Sequence, residues 1–489
     1  MTLWLRLGRF FLWKKVGFED IIYIGHVLKR RVLLFMKKYE MLPTEENIIE
    51  TLYNDPINRN KDIVYFYNIL QAQESASAIA IDGRWGSGKT FFVRQTKMVI
   101  NALNPSSTID EETKAKATVR LPFPKNDEEN ENYSIAVYYD AWENDNDTEP
   151  VLSLIYEITK QLSIDFSLSD ISIVKTAGAI IEAISGHNVN GIKDALTSED
   201  PFTKFKEEKD VEQKIKDFFA SILAERGNRL VIFIDELDRC KPTFAVHLLE
   251  QIKHYIFDDR ITFVFSINLE QLQHTIKHYY GADFDSCRYL DRFFDLRVSM
   301  PPANMEKFYS EIGLESRYYV DIVTKRIINM YNFELREITR FYSQIKAAVY
   351  EPTHDSKKYD FMFPDGKGRQ LILMYIVPLL IGLKIVDISK YDNFINGRDI
   401  EPLKELLDID EDNRLLGNML NRDETFEKDD EKKLVTREEM IQRFYDAIFV
   451  KQYNGSNYNT VLGQYEFSKE SKTFALSAAS MMSQFAELS

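Results

Sequence analysis

The stretch Ile79-Ala80-Ile81-Asp82-Gly83-Arg84-Trp85-Gly86-Ser87-Gly88-Lys89-Thr90 decides the fold of this chain. In it, an apolar run gives way to a glycine-rich turn that ends in Lys-Thr and leads into a new apolar segment. This order predicts a strand, a loop and a helix, which is the setting in which G-x-x-x-x-G-K-[ST] binds phosphate. We expect Gly83, Gly86 and Gly88 to adopt positive φ, so that successive N–H groups face one anion. The helix directs the positive end of its dipole at the same point.

The end of this loop carries the side chains suited to contact a nucleotide. Lys89 is predicted to reach the β- and γ-phosphates, and the Thr90 hydroxyl is predicted to bind Mg²⁺. The loop backbone and the first helical turn are predicted to surround the phosphates. The residues assigned to this cradle are Gly83, Arg84, Trp85, Gly86, Ser87, Gly88, Lys89, Thr90 and Phe91.

A second apolar run, Arg229–Glu236, ends in two acidic residues. An unbroken apolar strand is typical of a parallel sheet covered on both faces, and ligands bind at the carboxyl ends of such strands. Asp235 is therefore predicted to hold the Mg²⁺ water shell. Glu236 is predicted to orient or deprotonate the attacking water as the catalytic base.

Further strands are predicted at 135–139, 261–267 and 295–302, with helices between them and an irregular connection over 104–133. Asn268 follows the strand 261–267. It is predicted either to contact the γ-phosphate or the water, or to cap the next helix. Asp238 and Arg239 follow the acidic pair, where they pair with each other or brace the site. The alternation of strands and helices predicts an α/β fold with a parallel sheet.

Composition narrows the class of protein. The chain has 489 residues, of which 44% are hydrophobic, and this supports a large packed core. Its net charge of −15 argues against a protein that coats nucleic acid. Only two cysteines occur, which argues against a disulfide framework and for a cytoplasmic location.

The first 39 residues differ from the rest of the chain. They hold nine basic and two acidic residues, a net of +7, so the other 450 residues carry −22. Aromatic residues are interleaved with this charge, and no uncharged run reaches the roughly 18 residues that a spanning helix needs. Two interpretations remain for this segment. In the first, it binds an anionic membrane surface or a protein partner, and binding to the membrane would place the protein at its inner face. In the second, it forms a helical pair that packs on the acidic remainder of the chain.

The region 303–489 is predicted to be mostly helical from its apolar periodicity. Its most apolar segment, Leu371–Leu383, is interrupted by Pro378. We expect a buried core helix here in preference to a membrane segment, because the run is too short to cross a bilayer.

Four segments in this order resemble the KAP family of P-loop NTPases: Gly83–Thr90, Tyr139–Trp142, Asp235–Cys240 and Tyr289–Pro302. The resemblance covers about residues 50–350. It implies an ATP- and Mg²⁺-dependent ATPase core of the additional-strand class shared with AAA+ and STAND proteins, a three-layer α/β fold with a helical lid. The chain departs from the family at Asn268, where relatives often have Asp.

The chain is predicted to divide into four parts, of which the resemblance covers the core and the lid. The predicted parts are a basic aromatic segment (1–45), a P-loop NTPase core (46–302), a helical lid (303–350) and a helical C-terminal domain (351–489).

Two arginine roles follow from the family pattern. Arg292 is predicted to be a catalytic finger that reaches the γ-phosphate of a neighbouring subunit, in a homo-oligomer. Arg336 or Arg340 is predicted to contact the bound nucleotide from the lid. A planar, permanently charged guanidinium suits both roles. The alternative in each case is a surface salt bridge.

Three functions are compatible with these features. The first is an ATP-hydrolysing conformational switch, for which the family resemblance implies bacterial signalling or defence against phage. The second is a membrane-surface scaffold in which the nucleotide is structural. The third is a motor stimulated by nucleic acid, against which the acidic charge of residues 40–489 argues.

Overall fold

A parallel sheet forms from the apolar runs in the computed structural model. Its strands are β1 (Ser77–Asp82), β2 (Ser134–Asp140), β3 (Arg229–Asp235), β4 (Ile261–Ile267) and β5 (Leu296–Ser299), in the order β2-β3-β4-β1-β5. Every neighbouring pair is parallel. Because β4 lies between β1 and β3, the sheet has the additional strand, and the predicted α/β fold is confirmed.

The structure describes residues 41–123, 133–163, 176–177, 179–180, 203–255, 258–352, 359–407, 413–453 and 459–480. The prediction for residues 1–39 lies outside these ranges. Leu42–Glu311 forms one compact unit, and the described residues from Ile312 onward form another. The predicted division of this second unit into a lid and a C-terminal domain stays a prediction.

Helices cover both faces of the sheet, so the first unit has three layers. The helices of this part are α1 (Glu45–Asn54), α2 (Asn60–Gln71), α3 (Lys89–Leu103), α4 (Glu111–Thr118), α5 (Pro150–Gln161), α6 (Thr203–Arg226), α7 (Pro242–Tyr255), α8 (Leu269–Tyr280), α9 (Ser286–Asp291) and α10 (Met305–Ile312). One apolar core joins one face of the sheet to the helices α5 to α8, and the other core joins the opposite face to α2 and α3.

The prediction of an irregular connection over 104–133 is wrong in part, because α4 lies within it. Asp110 caps this helix by accepting the Thr113 N–H, at 2.9 Å. Two glutamates in its first turn interact favourably with the positive, N-terminal end of the helix dipole. The sequence of this helix has little apolar periodicity, and only Ala117 of it is buried. Its stability therefore comes from local capping and helix propensity more than from core packing.

The outer edge of β2 is closed by two side-chain amides. Asn101 pairs with the N–H and carbonyl of Ala136, at 2.8 Å each. Gln161 accepts the Tyr138 N–H at 3.0 Å and donates to the Tyr138 carbonyl. These amides satisfy the backbone groups that an edge strand otherwise exposes, which prevents pairing with another strand.

The second unit is mostly helical, as predicted. Its helices are α11 (Tyr319–Met330), α12 (Leu335–Val349), α13 (Lys367–Leu371), α14 (Val377–Val386), α15 (Ile388–Ile395), α16 (Glu401–Leu406), α17 (Asn413–Gly417), α18 (Arg437–Phe449) and α19 (Glu470–Ala479). Short strand pairs lie between them: β6 (Tyr350–Pro352) with β7 (Tyr359–Phe361), β8 (Glu424–Thr425) with β9 (Lys433–Leu434), and β10 (Asn459–Leu462) with β11 (Tyr465–Ser468).

The apolar helical stretch Lys367–Val386 is the one described helix that is long and apolar enough to cross a membrane by length and composition, and 67% of its apolar window is buried in the protein. The predicted burial of Leu371–Leu383 is therefore confirmed. Ile372–Ile376 adopts a π-helical turn between α13 and α14. This turn accommodates Pro378, which lacks an N–H and would clash with the preceding turn of a regular α-helix.

Candidate active site

The glycine-rich loop connects β1 to α3, as predicted. Gly86 and Gly88 both have φ of 90°, a left-handed conformation that favours glycine. Gly83 does not have positive φ, so that prediction is wrong for this position. Glycine is needed there because a Cβ atom would lie 2.9 Å from the Cβ of Met300. The loop therefore uses glycine for conformation at two positions and for close packing at a third.

Lys89 is buried at the first position of α3, although it carries a charge. Its Nζ donates to the carbonyls of Gly83 at 2.5 Å and Arg84 at 3.2 Å. Burial lowers the pKa of Lys89, and the nearby carboxylates of Asp238 and Asp235 oppose that shift. The ammonium group is thus held between the loop and the acidic residues, where it can meet the oxygens of a phosphate chain.

Arg59 braces the loop, although no motif in the sequence marks it. Its Nη1 donates to the Ser87 carbonyl at 2.9 Å, and its Nη2 donates to the Pro301 carbonyl at 2.8 Å. The guanidinium therefore ties the phosphate loop to the segment after β5. The side chain is 5% exposed, so this link is inside the protein. The sequence signal that lies near Arg59 is the Asp55-Pro56 pair, which is typical of a turn and does not predict this contact.

The carboxyl ends of three strands place polar groups side by side. Asp140 on β2 is level with Asp235 on β3, and Asp235 is level with Ser266 on β4. The Tyr138 hydroxyl donates to Asp235 Oδ2 at 3.0 Å, and the Glu236 N–H donates to Asp235 Oδ1 at 3.0 Å. Burial raises the pKa of the Tyr138 hydroxyl, so it remains protonated and acts as a donor. Asp235 is thus buried but satisfied at both carboxylate oxygens.

Glu236 leaves the strand in a left-handed conformation, with φ of 59° and ψ of 24°. This conformation is uncommon for a residue with a side chain, and such strain concentrates at functional sites. Burial raises the pKa of Glu236 to about 7, and the charge of Arg239 opposes that rise. The Arg239 guanidinium lies 3.0 Å from the Glu236 carboxylate. The carboxylate is therefore poised between its two protonation states near neutral pH.

The alternative in which Asp238 and Arg239 pair with each other is not what the structure shows. Asp238 instead accepts the indole N–H of Trp85, at 2.6 Å. Arg239 lies between two tryptophan rings, 5.6 Å from the centre of Trp85 and 5.5 Å from that of Trp142. Both residues brace the site, and the Trp85 bond joins the phosphate loop directly to the turn that follows β3.

Asn268 caps α8, because its Oδ1 accepts the Gln271 N–H at 3.3 Å. Asp82 helps to satisfy the same helix end by accepting the Leu269 N–H at 2.8 Å. The capping interpretation of Asn268 is therefore confirmed. A contact of this side chain with the γ-phosphate stays a prediction.

Arg292 follows α9 as its C-cap residue, and its side chain is exposed. Its carbonyl accepts Lys253 Nζ at 2.6 Å, while the neighbouring Asp291 pairs with Arg297 at 2.6 Å. Within the described ranges, no ion pair joins the Arg292 guanidinium to another residue. The finger role stays a prediction.

Arg336 and Arg340 are exposed on α12, in the second unit. Their role as a sensor of the nucleotide stays a prediction. The structure thus brings Lys89, Asp235 and Glu236 together within the first unit and leaves the lid arginines in the other unit.

The donor set fits Mg²⁺ held together with a nucleotide. Two buried hydroxyls of the site, Ser87 Oγ and Ser266 Oγ, have no hydrogen-bond partner within the described residues, which suits a polar ligand. Over the same ranges, no group of three or more His, Cys, Asp or Glu side chains could hold a metal by itself. Mg²⁺ commonly binds through one or two carboxylates plus substrate phosphates. Asp235 and the Thr90 hydroxyl are the residues that would hold it.

A Gly-Lys-Thr loop after β1 that faces an acid-ended β3, with a further strand between them, defines a P-loop NTPase of the additional-strand class. The pattern of the KAP family P-loop domain matches residues 59–349, which is more than half of the chain. The chain therefore belongs to the KAP family, and this membership implies nucleotide binding and hydrolysis. No curated protein matches the chain.

Proposed function

We propose that this protein binds ATP with Mg²⁺, hydrolyses the γ-phosphate, and uses the two nucleotide states as a conformational switch. The observation that supports this most is the 2.6 Å bond from Trp85 to Asp238, because it draws the phosphate loop against the acidic end of β3. Lys89, Asp235 and Glu236 then surround one position, with a phosphate-binding group on one side and a base on the other.

Each group has a separate part in the proposed reaction. The loop N–H groups and the Lys89 ammonium bind the phosphate oxygens and orient the γ-phosphate. Glu236 orients the attacking water and accepts its proton as the new P–O bond forms and the bond to the β-phosphate oxygen breaks. Bound Mg²⁺ supplies charge neutralisation at the phosphate oxygens. Arg239 holds the Glu236 carboxylate in place through its ion pair.

We infer that the switch assembles into a homo-oligomer and serves bacterial signalling or defence against phage. The family resemblance supports this role, and the exposed Arg292 is compatible with assembly. In this proposal, the helical second unit changes conformation in response to the bound nucleotide.

The test of the proposed function is hydrolysis and conformation measured on the same protein. The purified full chain should release phosphate from ATP in the presence of Mg²⁺ and lose this activity in EDTA. A comparison of ATP, GTP, CTP and UTP identifies the base that is accepted. Hydrogen exchange of the second unit should then differ between the ATP state, trapped in Glu236→Gln, and the ADP state. Hydrolysis without any such difference would contradict the switch, and no hydrolysis of any nucleotide would contradict the enzyme.

A further inference from the structure

Tyr138 touches the site from a strand that carries none of the predicted catalytic residues. It lies on β2, two positions before the strand end, and its side chain is 8% exposed. Its hydroxyl crosses to β3 and donates to Asp235 Oδ2 at 3.0 Å. The hydroxyl therefore contacts one of the residues that would hold Mg²⁺, without being a ligand itself.

The position of Tyr138 is fixed from two directions. Gln161 pairs with both its backbone N–H and its carbonyl, and Lys97 Nζ donates to the same amide oxygen at 2.9 Å. The Arg94 guanidinium lies over the ring, 4.3 Å from its centre. Arg94 is itself anchored, since its Nη1 donates to the Pro43 carbonyl at 2.5 Å. Arg94 and Lys97 both lie on α3, the helix that follows the phosphate loop, so the ring is held by the element that would bind the phosphates.

Two hydrogen-bond donors hold the Asp235 carboxylate, one at each of its oxygens. The Glu236 N–H binds Oδ1, and the Tyr138 hydroxyl binds Oδ2. A backbone donor and a rigid aromatic donor together leave the carboxylate little rotational freedom. Hydrogen bonds to the carboxylates that bind a metal typically contribute about 10- to 100-fold in metal affinity.

We propose that Tyr138 is a positioning residue for the metal, and that its hydroxyl holds Asp235 in the orientation that binds Mg²⁺ at the nucleotide. This inference rests on the proposed function, because it assumes that Asp235 acts on Mg²⁺. It extends that function by assigning a role to a β2 residue outside the phosphate loop and outside the acidic pair.

The test removes one oxygen atom and measures metal dependence without turnover. Tyr138→Phe keeps the ring under Arg94 and deletes only the hydroxyl. A fluorescent, non-hydrolysable ATP analogue is titrated into the full chain at a series of free Mg²⁺ concentrations. We expect the Mg²⁺ concentration for half-maximal tightening of analogue binding to rise about 10-fold. The affinity for the analogue in EDTA should stay near the wild-type value. The thermal midpoint should fall only by the amount expected for one lost hydrogen bond to a buried carboxylate, so the variant stays folded at the assay temperature.

Tyr139→Phe is the matched control. It makes the same chemical change one residue along β2, at a buried side chain in the core on the other face of the sheet. This variant should keep the wild-type Mg²⁺ dependence. An equal shift in both variants would mean that the effect comes from packing of β2, and it would overturn the inference.

A double mutant then tests whether Tyr138 acts through Asp235. In an Asp235→Asn background, adding Tyr138→Phe should change the Mg²⁺ dependence by less than about 2-fold, because the two changes affect one interaction. A full additional shift would overturn the inference, as would a Tyr138→Phe variant that behaves like wild type. If wild type itself shows tightening by Mg²⁺ and Asp235→Asn does not reduce it, the metal assignment in the proposed function fails before Tyr138 is considered.

Discussion

The phosphate loop and the acidic end of β3 meet in one site, but they are built differently. The loop is a single run of eight residues, Gly83–Thr90, whose backbone and one lysine face the ligand position. The acidic end takes its contacts from β2, β3, β4 and the loop itself. The first half depends on local backbone conformation, and the second depends on side chains that the fold brings together.

The difference between these halves corresponds to different steps of the reaction. Loop donors meet a charge that is already present on the bound nucleotide, so they act on binding. Glu236 acts on water during bond formation, so it affects the transition state and hardly the ground state. The left-handed backbone and the raised pKa of Glu236 lie in the half that performs chemistry. Substitutions in the two halves should therefore have separable effects.

The largest effect is expected from removing the central residue of each half. Lys89→Ala should abolish ATP binding, because the phosphates lose their buried cation. Glu236→Gln should preserve ATP binding and stop turnover, because the amide cannot accept a proton from water. Equilibrium binding of ATP and steady-state phosphate release distinguish the two. An equal loss of nucleotide affinity in both variants would contradict this assignment of the halves.

The next prediction tests whether a third contribution comes from another subunit. Arg292→Ala should lower kcat by about 10³-fold or more, as for arginine fingers supplied in trans. Mixing Arg292→Ala with Lys89→Ala should restore part of the turnover, because an intact Lys89 site can then face an intact Arg292. The specific activity of wild type should also rise with protein concentration until assembly saturates.

Arg288→Ala is a suitable control for Arg292, since Arg288 is an exposed arginine on α9, the helix that Arg292 caps. It should leave kcat unchanged. A rate that is independent of concentration, with no rescue on mixing, would show that each chain works alone and that Arg292 is structural.

A smaller effect is expected where the two halves are joined. Trp85→Phe removes the donor that Asp238 accepts and leaves a buried carboxylate with one partner fewer. We expect the free energy of unfolding of the free protein to fall by about 1–3 kcal/mol in urea denaturation. Trp142→Phe changes the other ring beside Arg239 and should stay within about 0.5 kcal/mol of wild type. Equal stability losses in the two variants would show that ring packing, not the bond to Asp238, joins the halves.

The smallest effect on the site is expected from deletion of residues 1–39. Both halves lie within Leu42–Glu311, so ATP affinity and kcat at saturating protein should be unchanged. Flotation with anionic vesicles should be lost, because each basic residue near such a surface contributes about 1 kcal/mol. Neutral vesicles provide the control. If the full chain does not float at low salt, residues 1–39 do not bind membranes.

Local sequence patterns predicted most strands and helices, but they did not predict the contacts between these elements. The strands β1 to β4 were predictable because each is an unbroken apolar run between polar turns. The helix α4 was not predictable from apolar periodicity, since it buries a single alanine. The reason for Gly83 was also misjudged, because the close approach comes from Met300, which follows β5 and lies more than 200 residues away in the sequence.

The sequence by itself determined that this chain forms a phosphate loop before a helix and a buried strand ending in two acidic residues. It could do so because these features depend on neighbouring residues: glycine for left-handed φ, apolar runs for burial, and acidic residues at a strand end. Only the tertiary structure decided which side chains hold the site together. Arg59, Trp85 and Tyr138 contact partners that are distant in sequence. Such contacts form only when the chain folds, so the spacing of residues in the sequence does not predict them.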